Sequence, residues 1–536
     1  MDIMEKRPIL KNKWYLYITE FFSGMAVMAV ELGASRLMAP YFSSSQIVWT
    51  IIIGTIMIAM ALGNIYGGRS ADKKPNPDKL YGRILVAAIW IALIPMVGKY
   101  LILAISAVLI LTVNTNFLIW AAFAACMIIF VFPLFLLGTV TPSLAKYTMD
   151  NLEENGKTVG NLGAFNTIGS IIGTFLPTFV TIPAVGTAIT FLIFSGVLLL
   201  LSVVYFVSAK AGTKKVVVSV IAFVLCSVLG STSSFAFWKD DLVYEGESVY
   251  NYLQVEEDED QVILSTNVLF GVQSIYLKHS DLTGMYYDYA MAAPFMCERM
   301  NTGENLNILV LGMGTGTYAS QCMRYLPGVT VEGVEIDEKI TELSTEFFAL
   351  DPKVSVTTYD GRAYLNAVDQ RYDVIMVDAY QDITIPFQMS SVEFFSLVKE
   401  HLTEDGVMVV NMNMKGSGEG NINQYLADTI STVFSQVYTV DVPGATNREL
   451  FASNNPDMME VFEGNRENAN PEIMKELLAR VKGSLKEYRA GNCIMTDDKA
   501  PVELLGMQVI DEVIRDEIGY YKDIFKKEGI QGLLNL

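Results

Sequence analysis

The sequence predicts a two-part protein: a multi-pass α-helical membrane domain, then a small β-meander leading into an α/β doubly wound, Rossmann-like domain. Three observations carry this expectation. Long apolar runs crowd residues 14–236, in a 536-residue chain that is 51% apolar with mean hydropathy +0.35, too apolar for an ordinary soluble enzyme. The charge is split, with a net of +7 over residues 1–236 and −27 over 237–536, out of −20 in all. Beyond residue 300, short apolar strands alternate with helical patterns, as parallel strands with crossover helices require. The expected boundaries are 1–236 for the membrane domain, 237–295 for the β-rich part and 296–536 for the α/β domain with its C-terminal extension.

A crossing helix needs about 20 apolar residues. Clear candidates are Trp14–Ala39, Ile47–Tyr66, Phe117–Leu137, Val159–Val180, Thr187–Val207 and Val216–Phe235. Residues 84–113, interrupted by Pro95, Gly98 and Lys99, add one kinked helix or two short ones, for seven or eight crossings. Basic links at Lys6–Lys13, Arg69–Arg83, Lys146–Lys157 and Lys210–Lys215 alternate with uncharged ones, which sets the N-terminus in the cytoplasm. Seven crossings then leave the soluble domain outside and eight return it. Supply of a cytoplasmic co-substrate favours the cytoplasm. Glu20 and Glu31 share one face of the first helix, and Asn161 and Asn166 with Gly163, Gly169 and Gly173 make another polar, small-residue face. Such faces serve either a polar or cationic substrate or helix packing.

The acidic soluble half repels phosphate, so nucleic acid is not an expected partner. Cys126, Cys226, Cys297, Cys322 and Cys493 have no metal-ligand spacing, and His279 and His401 are the only histidines. Neither metal catalysis nor Ser-His-Asp chemistry is expected. Residues 247–277 alternate in short runs and predict the meander. The α/β pattern then runs ILVLG, a helix from Thr317, VTVEGVEID, a helix to Leu350, VSVTTYD, a helix, YDVIMVDAY, a helix over Ser391–His401, and GVMVVNM. At least one more strand and helix follow residue 420, and Ile510–Leu536 reads as helical.

Ligands bind such sheets at the carboxyl ends of the strands. The first strand ends in Gly312-Met313-Gly314-Thr315-Gly316, whose glycines admit positive φ and close approach of a ligand. That spacing serves a dinucleotide as readily as S-adenosylmethionine. About twenty residues on, Glu335 and Asp337 end the second strand, where a carboxylate accepts ribose hydroxyls and excludes a 2′-phosphate. Asp360-Gly361 ends the third, placed for an adenine amine. Asp378 ends the fourth, beside the expected sulfonium, where it can hold an amine or deprotonate it, with Asp382 four residues on. Together these residues point to an adenosyl-sulfonium site, the S-adenosylmethionine-dependent transferase type of the fold.

Here the chain resembles the spermidine synthase, or polyamine aminopropyltransferase, family. The matching residues are Glu247–Tyr250, Gly271–Gln273, Tyr286 with Asp288 and Pro294, the glycine loop, VEID at 334–337, DGR at 360–362 and the Asp378 segment. ELGASRLMAPYF at 31–42, GNIYGGRSAD at 63–72, NTIGSIIGTF at 166–175 and TDDKAPVE at 496–503 resemble a membrane-fused branch of that family. The resemblance implies aminopropyl transfer from decarboxylated S-adenosylmethionine to an amine or polyamine, with release of methylthioadenosine. It implies Asp378 as base and amine anchor, Gln273 and Tyr286 bordering the substrate, Glu335 on the ribose and Asp360 on the adenine. Relatives of the soluble domain tend to dimerise, so a homodimer is among the partners it admits, with the bilayer as the other.

Three positions depart from the family's pattern. Thr315 stands where the family loop has an Asp, Gln381 where the catalytic segment has its second Asp, and Tyr287 where a His follows the Tyr. Losing one buried carboxylate from a cation site costs on the order of 1.5–3 kcal/mol. Three activities stay open on these residues: aminopropyl transfer to a different acceptor; methyl transfer or acceptor-free displacement (a cyclase or lyase) from intact S-adenosylmethionine; and a polyamine transporter whose nucleoside site is regulatory.

Overall fold

The computed structural model describes residues 8–508 except 43, 114–115, 149–154, 232–233, 240, 269–270, 281, 303, 380–384 and 413–417, together with 519 and 527. The helix expected over Ile510–Leu536, like Asp382 and Gln381, lies outside the described residues. The chain forms two compact units, Met1–Asp240 with Glu245–Tyr252, and Asp241–Tyr244 with Leu253–Leu536. Residues 245–252, expected to belong wholly to the β-rich part, therefore cluster with the helices. Buried hydrogen bonds explain this: Thr187 donates its backbone N–H (2.8 Å) and its hydroxyl (2.6 Å) to Glu247.

The helical unit comprises α1 Lys13–Phe42, α2 Gln46–Lys73, α3 Pro77–Thr112, α4 Phe117–Ile129, α5 Val131–Gly138, α6 Val140–Thr148, α7 Asn155–Leu176, α8 Ile182–Ser208 and α9 Thr213–Gly230. Among the described residues, five helices are long and apolar enough to cross a membrane, or up to six if a bent pair, Phe117–Ile129 with Val131–Thr148, is one span. The ambiguous stretch 84–113 is one helix, α3, which continues through Pro95. The continuous span expected over Phe117–Leu137 is instead broken, with a 49° bend. Pro133 accounts for the break, because its ring clashes with the carbonyl four residues back. That carbonyl, of Ile129, accepts the Trp90 indole N–H at 2.9 Å instead.

The expected spans Val159–Val180 and Thr187–Val207 both lie within one 53-residue helical stretch. Gly186 interrupts it with φ 78°, ψ 169°. The limbs before and after lie against α1 in opposite directions. In the first limb Asn166 bonds Glu20 (2.8 Å), and an added Cβ on Gly169 or Gly173 would meet the carbonyl oxygens of Phe21 and Met25 at 2.0 and 2.2 Å. In the second, Tyr15 bonds the Leu201 carbonyl while Gly33 touches Phe191. The small-residue face of α7 thus serves close packing. Glu20 is fully buried and takes bonds from Thr141 and Asn166. Exposed Val217, Ile221, Val224 and Val228 on α9 give the unit an apolar outer face, compatible with a membrane protein.

The expected four-stranded meander is β1 Leu242–Glu247, β2 Tyr252–Glu257, β3 Gln261–Ser265 and β4 Ser274–Leu277. After the short helices α10 Tyr286–Ala290 and α11 Ala292–Phe295 come β5 Leu306–Leu311, α12 Thr317–Tyr325, β6 Val329–Glu335, α13 Glu338–Glu346, β7 Ser355–Thr358, α14 Gly361–Ala367, β8 Tyr372–Val377, α15 Val392–Glu400 and β9 Leu402–Met412. α16 Ile422–Ser431, β10 Gln436–Asp441, β11 Arg448–Ser453, α17 Met458–Glu467, α18 Glu472–Ser484 and β12 Lys486–Glu487 follow. The main sheet has the order β12-β10-β11-β9-β8-β5-β6-β7. β5 to β9 run parallel, while β10, β11 and β12 pair antiparallel beyond them. β8 is buried at every position, as a strand covered on both faces must be. Strand order reverses between β5 and β8, which makes the carboxyl ends of these two strands the place for a ligand.

Candidate active site

The turn after β5 is built from three left-handed glycines, Gly312 (φ 79°), Gly314 (φ 58°) and Gly316 (φ 88°). Gly312 and Met313 both donate to the Val334 carbonyl, which ties the turn to β6. Met313, apolar where a ligand contact was conceivable, packs inward, its sulfur where a Cβ on Gly333 would stand. Gly316 opens α12.

Glu335 reaches the turn, and the Glu335 and Asp337 carboxylates both accept from the protein's own amides. Glu335 accepts the Gly314 N–H at 2.9 Å and the Asp337 N–H at 3.1 Å. Burial pushes its carboxyl up to about 7, against the pull of those amides. Asp337 is buried and caps α13 by accepting the Lys339 N–H. Asp360, partly exposed, caps α14 through the Ala363 N–H, with Gly361 beginning that helix. The neighbouring Arg362 makes a two-pronged ion pair with Asp497, of 2.8 and 2.6 Å, which joins the DGR and TDDKAPVE stretches.

Asp378 follows β8, with its backbone N–H bonded to Leu311 of β5 at 2.9 Å. Tyr286 donates to one carboxylate oxygen at 2.7 Å and Asn411, from the end of β9, to the other at 2.8 Å. Burial pushes the Asp378 carboxyl up to about 7, against the lowering effect of these two bonds. The Tyr286 phenol lies well above its usual range, because it is buried and faces the Asp378 charge. Tyr287 lies against Tyr286 with the rings tilted by 33° and their centroids 4.0 Å apart, and donates to the Gln273 carbonyl at 2.8 Å. Its neighbour Ser274 accepts the Thr315 N–H at 3.1 Å. Thr315 is buried, and its hydroxyl has no hydrogen-bond partner among the described residues.

The sheet thus brings the glycine turn with its Thr315, Glu335 and Asp378 together, while α10 carries in Tyr286 and Gln273 stands just before β4. Sequence reading missed Asn411 and the buried Glu449 on β11, which pairs with Asn411. Asn411 ends the next parallel strand after Asp378, a position the strand-end logic already marks. Among the described residues, no group of three or more His, Cys, Asp or Glu is placed to hold a metal ion.

Residues 289–460 match the family described as the spermine/spermidine synthase domain. A probable polyamine aminopropyl transferase of Bifidobacterium longum (strain NCC 2705) is 51% identical over 349 residues, which cover 62% of this chain and 77% of the relative. A polyamine aminopropyltransferase of Vibrio vulnificus (strain CMCP6) is 25% identical over 236 residues, covering 43% of this chain and 76% of the relative. Among solved structures, a probable spermidine synthase from Corynebacterium glutamicum ATCC 13032 aligns at 18% identity with TM-score 0.36, covering 46% of this chain and 96% of that one. With 51% identity over an alignment that covers 77% of the Bifidobacterium relative, the chain belongs to the spermine/spermidine synthase family of polyamine aminopropyltransferases.

Proposed function

We propose that this transferase moves an aminopropyl group from decarboxylated S-adenosylmethionine to an amine, with Asp378 as the base. The observation that carries the reading is Asp378 itself: a carboxyl pushed up to about 7 by burial, held by Tyr286 and Asn411 beside the glycine turn. Such a group is ionised enough near neutral pH to take a proton and basic enough to want it. The amine nitrogen attacks the carbon attached to the sulfonium. A C–N bond forms, the C–S bond breaks with its electrons going to sulfur, methylthioadenosine leaves, and the nitrogen's surplus proton passes to Asp378. Gly312, Gly314 and Gly316 let the turn approach the adenosyl part, Glu335 and Asp337 border the ribose, Asp360 and Gly361 the adenine, and Gln273 with Tyr286 the reacting chain.

Thr315 supports a second reading, in which the donor is intact S-adenosylmethionine. A neutral hydroxyl neither attracts the donor's ammonium as a carboxylate would nor repels its carboxylate. Incubation of the full chain with each donor, followed by mass spectrometry, separates the two. Methylthioadenosine formed only with the decarboxylated donor and an amine is the expected result. Adenosylhomocysteine, or methylthioadenosine formed without an acceptor, would replace the aminopropyl reading.

The helical unit is proposed as a bilayer anchor of seven crossings, the 53-residue stretch counting as two and the bent pair as one. The basic links then lie on one face of the membrane, and the chain leaves on the other. That departs from the cytoplasmic placement argued from donor supply. Cysteines introduced at Lys214 and Lys278 are expected to react with an impermeant thiol reagent from opposite faces; reaction from the same face would require another crossing.

A further inference from the structure

Among the described residues, Glu449 is a strongly buried carboxyl near the site that the reaction as described does not use. It is fully buried, and neither carboxyl oxygen has a hydrogen-bond partner among the described residues. Its place is set by the sheet. Glu449 of β11 and Asn411 of β9 are direct partners in an antiparallel pair, so their side chains stand on the same face. The Asn411 amide donates to Asp378, and its oxygen accepts from Asn447 at 3.0 Å. Glu449 therefore stands on the Asp378 side of the sheet, one strand further out. A buried carboxyl without donors is costly, since it forfeits hydration and gains nothing in return.

We propose that Glu449 supplies the second negative charge of the amine site, and so selects an acceptor that carries a second ammonium group. The proposal rests on the aminopropyl-transfer reading. A diamine brings two positive charges into a region of low dielectric, and Asp378 answers one of them. The family's catalytic segment has a second Asp for such work, and this chain has Gln381 in its place. Glu449 offers the missing carboxyl from a different strand. In the free protein Glu449 is held in the acid form, its carboxyl well above the usual carboxylate range through burial and the nearby Asp378 charge. Tyr318 of α12 is the other titratable group that feels it. When a dication binds, ionised Glu449 becomes the favoured form; its O–H bond breaks and the proton passes to solvent.

The test is titration calorimetry of the full chain in nanodiscs with methylthioadenosine bound, comparing 1,4-diaminobutane with n-butylamine in two buffers of different ionisation enthalpy. Wild type is expected to bind the diamine at least about tenfold more tightly and to release more protons with it. In Glu449→Gln, a near-isosteric change, the preference should fall below about threefold and the extra release should vanish, with methylthioadenosine affinity unchanged. Preference and proton release retained in the variant would overturn the proposal. Should the variant not fold, wild type alone decides, since equal proton release with both amines is equally fatal. If no amine yields methylthioadenosine in the turnover assay, the transfer reading fails separately, because the binding comparison does not depend on turnover.

Discussion

Replacing Asp378 with Asn should lower turnover by about 10²–10⁴-fold, the range for loss of a positioned general base, while leaving affinity for methylthioadenosine within about threefold. The asymmetry follows from the contacts. Asp378 faces Tyr286 and Asn411, whereas the adenosyl side is proposed to consist of the glycine turn, Glu335 and Asp360. Asn keeps the size and one acceptor oxygen but cannot take the amine's proton. A matching pH dependence is expected in wild type. The base works only when ionised, so kcat/KM should rise as pH passes through about 7 and lose that limb in the variant. Stability should move the other way. Because the folded carboxyl titrates above its unfolded value, its contribution is fully present at low pH and is lost as pH rises through about 7. Asn escapes that loss, so the variant should gain in melting temperature over wild type at pH 8 more than at pH 5. Activity within a factor of three of wild type, or a melting-temperature difference independent of pH, would remove Asp378 from the base role.

The parts of the site that could be read from sequence are the ones fixed by local order. A glycine turn after a buried strand, and an Asp after the fourth, follow from strand-end logic because each lies within a few residues of the element that positions it. Glu335 and Asp337, expected at the ribose, also spend carboxylate oxygens on nearby backbone N–H groups, a use that depends on local backbone geometry and that strand-end logic does not register. Asn411 and Glu449 depend on pairing between strands whose partner residues, 411 and 449, are 38 apart in the chain, which no local pattern encodes. In the helical unit, hydropathy located the apolar segments but not their breaks. Pro95 is carried inside a continuous helix, whereas the helix ahead of Pro133 stops at Ile129, whose carbonyl accepts the Trp90 indole N–H. Likewise the reversal near Gly186 rests on a single positive φ that hydropathy does not register.

Gly312→Ala should weaken donor binding and destabilise the second unit. Two independent penalties meet at this residue. Its φ of 79° is one that L side chains rarely adopt, at a cost of about 1–3 kcal/mol. An added Cβ would also stand 2.5 Å from the Ala379 Cα and 2.6 Å from the Asp378 carbonyl oxygen. Both are backbone atoms of the segment that follows β8, so no rotamer change relieves the clash, and overpacking of this kind adds about 1–3 kcal/mol. Relief requires the turn and the β8 end to separate, and that separation moves Asp378 away from the glycine loop. Binding and catalysis should therefore fail together, with methylthioadenosine affinity down at least about tenfold and the melting temperature lowered. Gly418→Ala is the control, since its added Cβ meets nothing within 4 Å among the described residues, and it should leave both measurements unchanged. If Gly312→Ala bound methylthioadenosine as tightly as wild type, close contact between the turn and the β8 end would not be what forms the donor site.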